Sequence, residues 1–525
     1  MESILLVRRN ARCSAACWLI AVVVSCGGLA AVGCGRVSES MPPLDTQPRP
    51  AGSVADITPQ SVAEIKKFCG DCHTLPLATS FPRARWAKEV RQGYEFYLES
   101  GRSDLKRPVE RDAIRYFAGD APERLETVPV SRRREFPTNV DFREQMLAPG
   151  VFDVTDPAVA HIVWRPGKGD FLASDMRSGA IYRIVVAPQT ASMNVLATIK
   201  NPCRITAWPQ AASEAHVIAD LGTFMPVDHQ RGGVWLVQEA DDSVAVVPLM
   251  ENLSRVVEVQ PLDCDGDGDH DLVVAEFGWR QSGALRLLRF QSDGTYNDTV
   301  LDARHGAVAV RVVDLDCDGS DDIVAAFGQE HETVDVYWGD GSGRFLHETI
   351  HSLPDPSWGT SSFEVVDIDS DGFPDLVHAN GDTLDSGLAK PYHGIRLLRN
   401  RGRRRFEAVH VGSMVGACQA SVGDIDGDGD LDIVACSLFQ AASAVPPGTY
   451  DALTWFEQLP DESFSPHSIA KDTCEHVAFS LADVDGDGRV DVVAGVWKGT
   501  ESEERWPLVK IYRNVPSGNT LFPQD

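Results

Sequence analysis

At 525 residues the chain exceeds one ordinary domain, although a single large β domain can absorb most of that length. The formal charge of −29 comes from 77 acidic against 48 basic residues and excludes the basic surface that nucleic-acid binding requires. So acidic a chain repels itself unless cations neutralise part of it.

In chain order, the N-terminus reads as an export signal. Arg8, Arg9 and Arg12 precede an apolar run from about Cys17 to Gly33 that is short for a membrane span. The run ends Ala31-Val32-Gly33-Cys34, which resembles a bacterial lipobox with Ala where Leu is common. Residues 1–34 are therefore expected to be a signal peptide of lipoprotein type, with lipid attached at Cys34. Val23-Val24-Ser25-Cys26 is a second, less well placed site, and simple cleavage or an uncleaved anchor stays open. The expected location is periplasmic, or membrane-anchored through the lipid alone. Residues 35–57 are rich in Pro and Ser and read as a tether.

Thr58-Pro59 is a helix start, an N-cap followed by Pro at the first helical position. Val62, Ile65 and Phe68 then recur at helical spacing and lead into Cys69-Gly70-Asp71-Cys72-His73. C-x-x-C-H is the attachment signature of c-type haem, in which two thiols add to vinyl groups and the adjacent His ligates iron. The bland alternative is a surface disulfide that happens to precede a His. Two further helices are expected, about Arg83 to Ser100 and about Val109 to Ala118. Residues 58–120 resemble the class I cytochrome c family, with Cys69, Cys72 and His73 carrying the match. The resemblance implies a small all-α domain with covalent haem c. One departure is plain: between Leu75 and Gln145 there is neither Met nor His to serve as the distal ligand. Either the iron is five-coordinate, or the following domain supplies the sixth ligand. Residues 121–140 follow as a basic linker through Arg132, Arg133 and Arg134, either solvated or laid against the acidic domain beyond.

From residue 263 one device recurs five times: carboxylates at positions 1, 3, 5 and 9 of a short loop, with glycine at position 6. The sets are Asp263, Asp265, Asp267, Asp271; Asp314, Asp316, Asp318, Asp322; and Asp367, Asp369, Asp371, Asp375. Asp424, Asp426, Asp428, Asp432 and Asp483, Asp485, Asp487, Asp491 complete the series. Such crowded carboxylates call for a hard cation, and oxygen donors at this spacing suit calcium. Successive loops start 51, 53, 57 and 59 residues apart, a period that means a solenoid or propeller. An EF-hand is excluded, because position 12 holds Val274, Ala325, His378, Ala435 or Ala494 instead of Glu. A dockerin-like module is excluded because each loop feeds a β-branched run and not a helix.

Phe171-Leu172-Ala173 and Val217-Ile218-Ala219 repeat those strands without the acidic loops, which makes seven units of four short strands. Residues 141–525 thus read as a seven-bladed β-propeller. They resemble the FG-GAP/VCBS repeat family, the calcium-loop propeller of integrin α-chain heads, with five strong blades and two degenerate ones. The fold class is mainly β, with the small all-α domain ahead of it. The last blade lacks an outer strand, and Phe142–Leu147 is expected to supply it and close the ring.

The acidic loops should share one face. The opposite face carries the longer connections, with Trp279, His331, Tyr392, His393, Tyr450, Trp497 and Trp506, and with His305, Trp358 and His476 at the channel mouth. Loops on a rigid scaffold are where binding residues gather, although each aromatic could simply pack its own loop. The six cysteines beyond Cys72 are scattered and their pairing cannot be read. There is no hydrolase, zinc-protease, phosphate-loop or dinucleotide motif, so the catalytic residues are unknown. The sequence favours electron transfer, with haem c and Ca2+ as cofactors and the propeller docking a redox partner, or a protein or carbohydrate ligand on its long-loop face. The alternatives are a calcium-dependent adhesion module, and an enzyme using that face or an open haem iron.

Overall fold

The computed structural model describes residues 57–517 apart from 127–138, 148–149, 187–190, 210–214, 241–242, 385, 441–444, 447, 472–473 and 500–503. Cys34, the signal segment, nearly all of the tether and Arg132–Arg134 lie outside the described residues. Among the described residues no helix is long and apolar enough to cross a membrane.

Three α-helices come first. Helix α1 spans Pro59–Cys69, and Thr58 caps it by accepting a hydrogen bond from the Ser61 amide at 3.2 Å. Helix α2 spans Trp86–Glu99 and α3 spans Glu110–Asp120. The second helix starts later than its periodicity suggests. Pro82 holds extended backbone and Arg83–Arg85 form a 3₁₀ turn, in which Arg83 reaches the carbonyls of Ala118 and Ala121 at 2.8 and 3.0 Å. The core of this unit is Ile65, Phe68, Trp86, Val90, Tyr94 and Phe117, with Trp86 stacked on Phe117 at 4.4 Å.

Seven four-stranded antiparallel sheets follow as blades. In the third blade, for example, the strands are Val256–Leu262, Asp271–Glu276, Ala284–Phe290 and Tyr296–Asp302. The second strand of every blade is buried along its whole length, as in Asp271–Glu276 and Asp322–Phe327. Sandwiched between neighbouring blades on both faces, it is apolar in most positions between its polar ends, which is why Leu-Val-Val-Ala and its variants recur there without alternation. The fourth strands Tyr296–Asp302 and Phe345–Ser352 are largely exposed and correspondingly polar.

The ring closes through the N-terminal edge. Asp141–Glu144 pairs antiparallel with the last strand, Val509–Val515, in the register Asp141 opposite Val515 and Glu144 opposite Tyr512. The strand is shorter than the expected Phe142–Leu147, and Met146 beyond it is 84% exposed. Phe142 is buried in the last blade against Ile425, Trp455 and Tyr512. A ribbon absent from the sequence reading, Asp153–Thr155 against Arg505–Pro507, straps the same seam.

Closure by residues far apart in sequence makes a concrete demand on stability. Phe142→Ala should cost about 3 kcal/mol, as for other buried aromatics. Deleting residues 138–150 should abolish the single cooperative melt; a deletion variant that melts like the parent would refute this account of closure.

Candidate functional site: acidic loops on one face, a docked helical unit on the other

Each acidic loop joins the first and second strands of its blade, so all five lie on one face. Their position-6 glycines, Gly268, Gly319, Gly372, Gly429 and Gly488, have φ between 85° and 99°. A Cβ there would meet nothing within 4 Å, so the glycine requirement is conformational and not steric. Position 4 is left-handed as well. Glycine fills it in three loops, but Cys317 (φ 60°) and Ser370 (φ 56°) occupy it in the other two.

The carboxylates divide into two kinds. Those at positions 1, 3 and 5 converge: Asp263, Asp265, Asp267; Asp367, Asp369, Asp371; and Asp424, Asp426, Asp428 each bring oxygens within 4.8 Å of one another. In the fourth blade the converging set is Asp314, Asp316 and Asp322. Asp318 there accepts the Ser320 amide at 2.9 Å, the same bond that Asp487 makes with Arg489 in the last loop. Asp483 accepts amides of Gly486 and Gly488 at 2.7 and 2.9 Å, and Asp485 accepts that of Asp487 at 3.2 Å.

The position-9 carboxylates do something different. Asp432 accepts the Ile425 amide at 3.1 Å and the Gln458 amide at 2.8 Å, and so ties the loop's second residue to the end of the third strand. Asp271, Asp322, Asp375 and Asp491 repeat the pattern on Cys264 and Phe290, Leu315 and Gly339, Ile368 and Asn400, Val484 and Asn514. All five are buried. Burial pushes Asp322, Asp375 and Asp491 up to about 6 and Asp432 up to about 7, although the backbone amides pull the other way.

On the opposite face the helical unit is docked over the third to fifth blades. Asp355, 1% exposed, accepts the Leu77 amide at 3.0 Å and the Ser80 hydroxyl at 2.5 Å, while its other oxygen caps Ser357. Tyr392 donates its hydroxyl to the Ser80 carbonyl at 2.8 Å and stacks on Trp358 at 5.0 Å. Buried Lys390 donates to the Ser357 carbonyl at 2.9 Å and lies over the Phe81 ring at 5.7 Å. Further round, Arg280 pairs with Glu99 and covers the Phe96 ring at 3.9 Å.

Cys69, Cys72 and His73 sit at the end of α1 on this docked unit, and both cysteines are free thiols. Cys69 packs against the helical core, where burial pushes its thiol up to about 11. Cys72 is exposed, with an Arg102 nitrogen 3.1 Å from its sulfur. Partial burial raises its pKa; Arg102 opposes that, while Asp71 and the propeller's Glu330 add to it. Nδ1 of His73 lies 2.8 Å from the Thr74 carbonyl oxygen. A carbonyl only accepts, so Nδ1 is the donor in that contact.

The other expected face residues separate. Trp358 and Tyr392 serve the docking. His393 is buried, and burial drives its pKa well down. Tyr450 packs its own loop against Phe439 at 5.1 Å, Trp497 stacks on Phe224 at 6.3 Å, and Lys498 sits over Trp506 at 3.5 Å. Trp279 lies 5.6 Å from the Arg280 guanidinium. His476 is buried with Nδ1 2.8 Å from the Gly495 carbonyl oxygen. His305 and His331 come together, with Glu330 of the His331 turn beside them. Sequence reasoning missed Asp355 and Lys390. Asp355-Pro356-Ser357 is legible as a capped turn, but nothing in it announces which neighbour the second carboxylate oxygen will meet.

A family model described as an FG-GAP-like repeat matches residues 263–325 and again 314–378. These matches cover the acidic loops of the third to fifth blades. No curated protein matches the chain.

The two kinds of carboxylate predict different mutational outcomes. Asp432→Ala should cost roughly 2–4 kcal/mol with or without calcium, since it strands two buried amides. Asp424→Ala should cost about 1 kcal/mol in chelator, since the half-buried carboxylate accepts the Gly427 amide at 2.7 Å, yet remove any response of that loop to calcium. A carboxyl whose folded pKa stands above its unfolded value favours folding below the unfolded value and loses that contribution as pH climbs through the folded one. Chelated protein should therefore lose melting temperature between about pH 4 and pH 7, and calcium should flatten the loss. A chelated melt that rises steadily across that window would refute the assignment.

Proposed function

We propose that the chain is an exported, calcium-binding propeller protein that carries covalent haem c at Cys69, Cys72 and His73 and works in electron transfer. The carrying observation is the donor set at the end of α1: two unbridged thiols three residues apart and an imidazole whose Nδ1 proton is committed to the Thr74 carbonyl. That set fits the group. The carbonyl fixes the tautomer with Nε2 as the ligand atom, the arrangement by which protein partners orient metal-bound histidines. Cys69 would anchor the macrocycle from the apolar side and Cys72 from the open side. Arg102, held by Asp71 and Asp104 at 2.6 Å each, keeps the Cys72 segment in place. Bound there, the haem would supply one-electron chemistry.

The propeller is the scaffold in this reading. Asp355, Lys390 and Tyr392 hold the helical unit on the long-loop face, so a partner arriving at that face would meet the Cys72 edge beside the propeller loops. The converging carboxylates on the far face are read as calcium sites with a structural role. They neutralise charge and lock loops remote from the docked unit. Export, with lipid at Cys34, belongs to the same reading, since covalent haem c and calcium-filled acidic loops both suit a protein outside the cytoplasm.

The test is the absorption spectrum of the full chain made alongside haem c maturation machinery, oxidised and reduced, with and without carbon monoxide. Covalent haem that is lost in Cys69→Ala/Cys72→Ala and unmoved by carbon monoxide is the expected result. Absence of covalent haem would refute the redox reading and leave a calcium-dependent binding module. Haem that shifts with carbon monoxide would refute simple electron transfer in favour of an enzyme with an open iron. Chelator should lower the melting temperature of the same preparation by several degrees, because five loops lose their counter-charge together; an unchanged melt would count against calcium.

A further inference from the structure

We propose that His305, Glu330 and His331 form a binding site for a borderline divalent transition-metal ion of the zinc class, distinct from the acidic loops and on the opposite face of the propeller. One ligand atom from each of the three lies within 4.8 Å of the others. Nε2 of His305 is 2.7 Å from Oε1 of Glu330, and the two imidazole rings are 5.5 Å apart and nearly edge to face. Tetrahedral zinc with nitrogen and oxygen donors needs ligand atoms roughly 3.3–3.5 Å apart, so side-chain adjustments alone would close the set.

A second observation points the same way. Nε2 of His331 is buried and has no hydrogen-bond partner. A plain His305–Glu330 ion pair leaves that nitrogen unexplained, whereas an ion shared by all three residues would give it a partner once the ring presents Nε2 to the site. The donors rule out calcium, which takes oxygen, and suit the metals that imidazole selects.

The site is built into the backbone. His305 stands between the third and fourth blades, where the Gly306 amide bonds the Phe277 carbonyl and the Gly328 amide bonds the Gly306 carbonyl, both at 2.8 Å. Glu330 and His331 occupy the turn between Asp322–Phe327 and Thr333–Gly339. That turn is pinned by buried Glu332, which accepts the Thr360 amide at 2.6 Å and whose carbonyl accepts the Leu353 amide at 2.9 Å. The nearest cation, Arg304, is already neutralised by Asp302 and Asp335, at 2.7 and 3.0 Å. His305 and Glu330 keep 19% and 26% of their side chains exposed, which gives an ion access. Three protein ligands leave a further position for water or a small anionic ligand, the pattern of reactive and not purely structural zinc. Glu330 also acts electrostatically on Cys72, so the ion would sit at the junction between helical unit and propeller.

The proposal stands apart from the haem reading, and the test keeps them apart. Full-length, calcium-saturated protein carrying Cys69→Ser and Cys72→Ser is titrated calorimetrically with Zn2+, and with Co2+ for its ligand-field spectrum. One equivalent bound beyond calcium is expected, with visible Co2+ bands. Glu330→Gln, which preserves size and can still hydrogen-bond His305, should weaken Zn2+ at least about tenfold. His305→Ala/His331→Ala should abolish the binding while leaving the metal-free melt cooperative. Binding unchanged in these variants, or no extra equivalent at all, would overturn the proposal. So would a haem-loaded protein in which His331→Ala turns low-spin iron high-spin while no divalent ion binds the Cys-free chain, since the imidazole would then belong to the haem.

Discussion

The structure hangs on one buried carboxylate repeated five times. Asp271, Asp322, Asp375, Asp432 and Asp491 each begin the fully buried second strand of a blade and spend both oxygens on backbone amides, one at the start of the loop and one at the end of the third strand. This bond geometry fixes where the loop starts and where the third strand ends, and so sets the frame in which the loop carboxylates converge. Burial makes the ionised form costly, and the paired amides offset only part of that cost. A cation beside the loop would offset more, which links ion binding on the surface to the packing of the blade beneath it.

The degenerate blades show the same constraint solved differently. In the first blade Asp170 still begins the second strand, but the loop before it is a short turn and the carboxylate is held by Arg165 at 2.7 and 2.8 Å, with Arg183 at 3.1 Å. A guanidinium stands where the other blades present an acidic loop. The sequence reading treated this blade as lacking the carboxylate, because a single Asp after Gly169 carries no repeat signal. In the second blade Ala215 occupies the strand start, and no charge needs an answer.

What was legible in the sequence follows physical periodicity. Seven blades, the shared face of the acidic loops and closure by Phe142 are consequences of strand burial and of repeated spacing, and both leave marks at fixed intervals. The start of the helical unit was legible at Thr58 and Pro59, where capping is local. The start of α2 was misplaced because Pro82 and the Arg83 contacts to the end of α3 impose a 3₁₀ turn on a sequence that is periodic from residue 83 onward. The docking of the two units was not legible at all. Asp355, Lys390 and Tyr392 come from two loops of the fourth and fifth blades, and their partners Leu77, Ser80 and Phe81 lie about 275 to 315 residues earlier. No pattern within either segment encodes such a meeting.

That docking also changes what the long-loop face can offer. Trp358 and Tyr392, read from sequence as candidate ligand-binding aromatics, are consumed in holding the helices, and His393 is sealed beneath them. The chemistry left at the junction is therefore not aromatic. It is the Cys72 thiol from the helical side, and Glu330 with its two imidazoles from the propeller side. Each buried polar atom in that set costs stability unless something binds it, and Nε2 of His331 is one that no protein group meets.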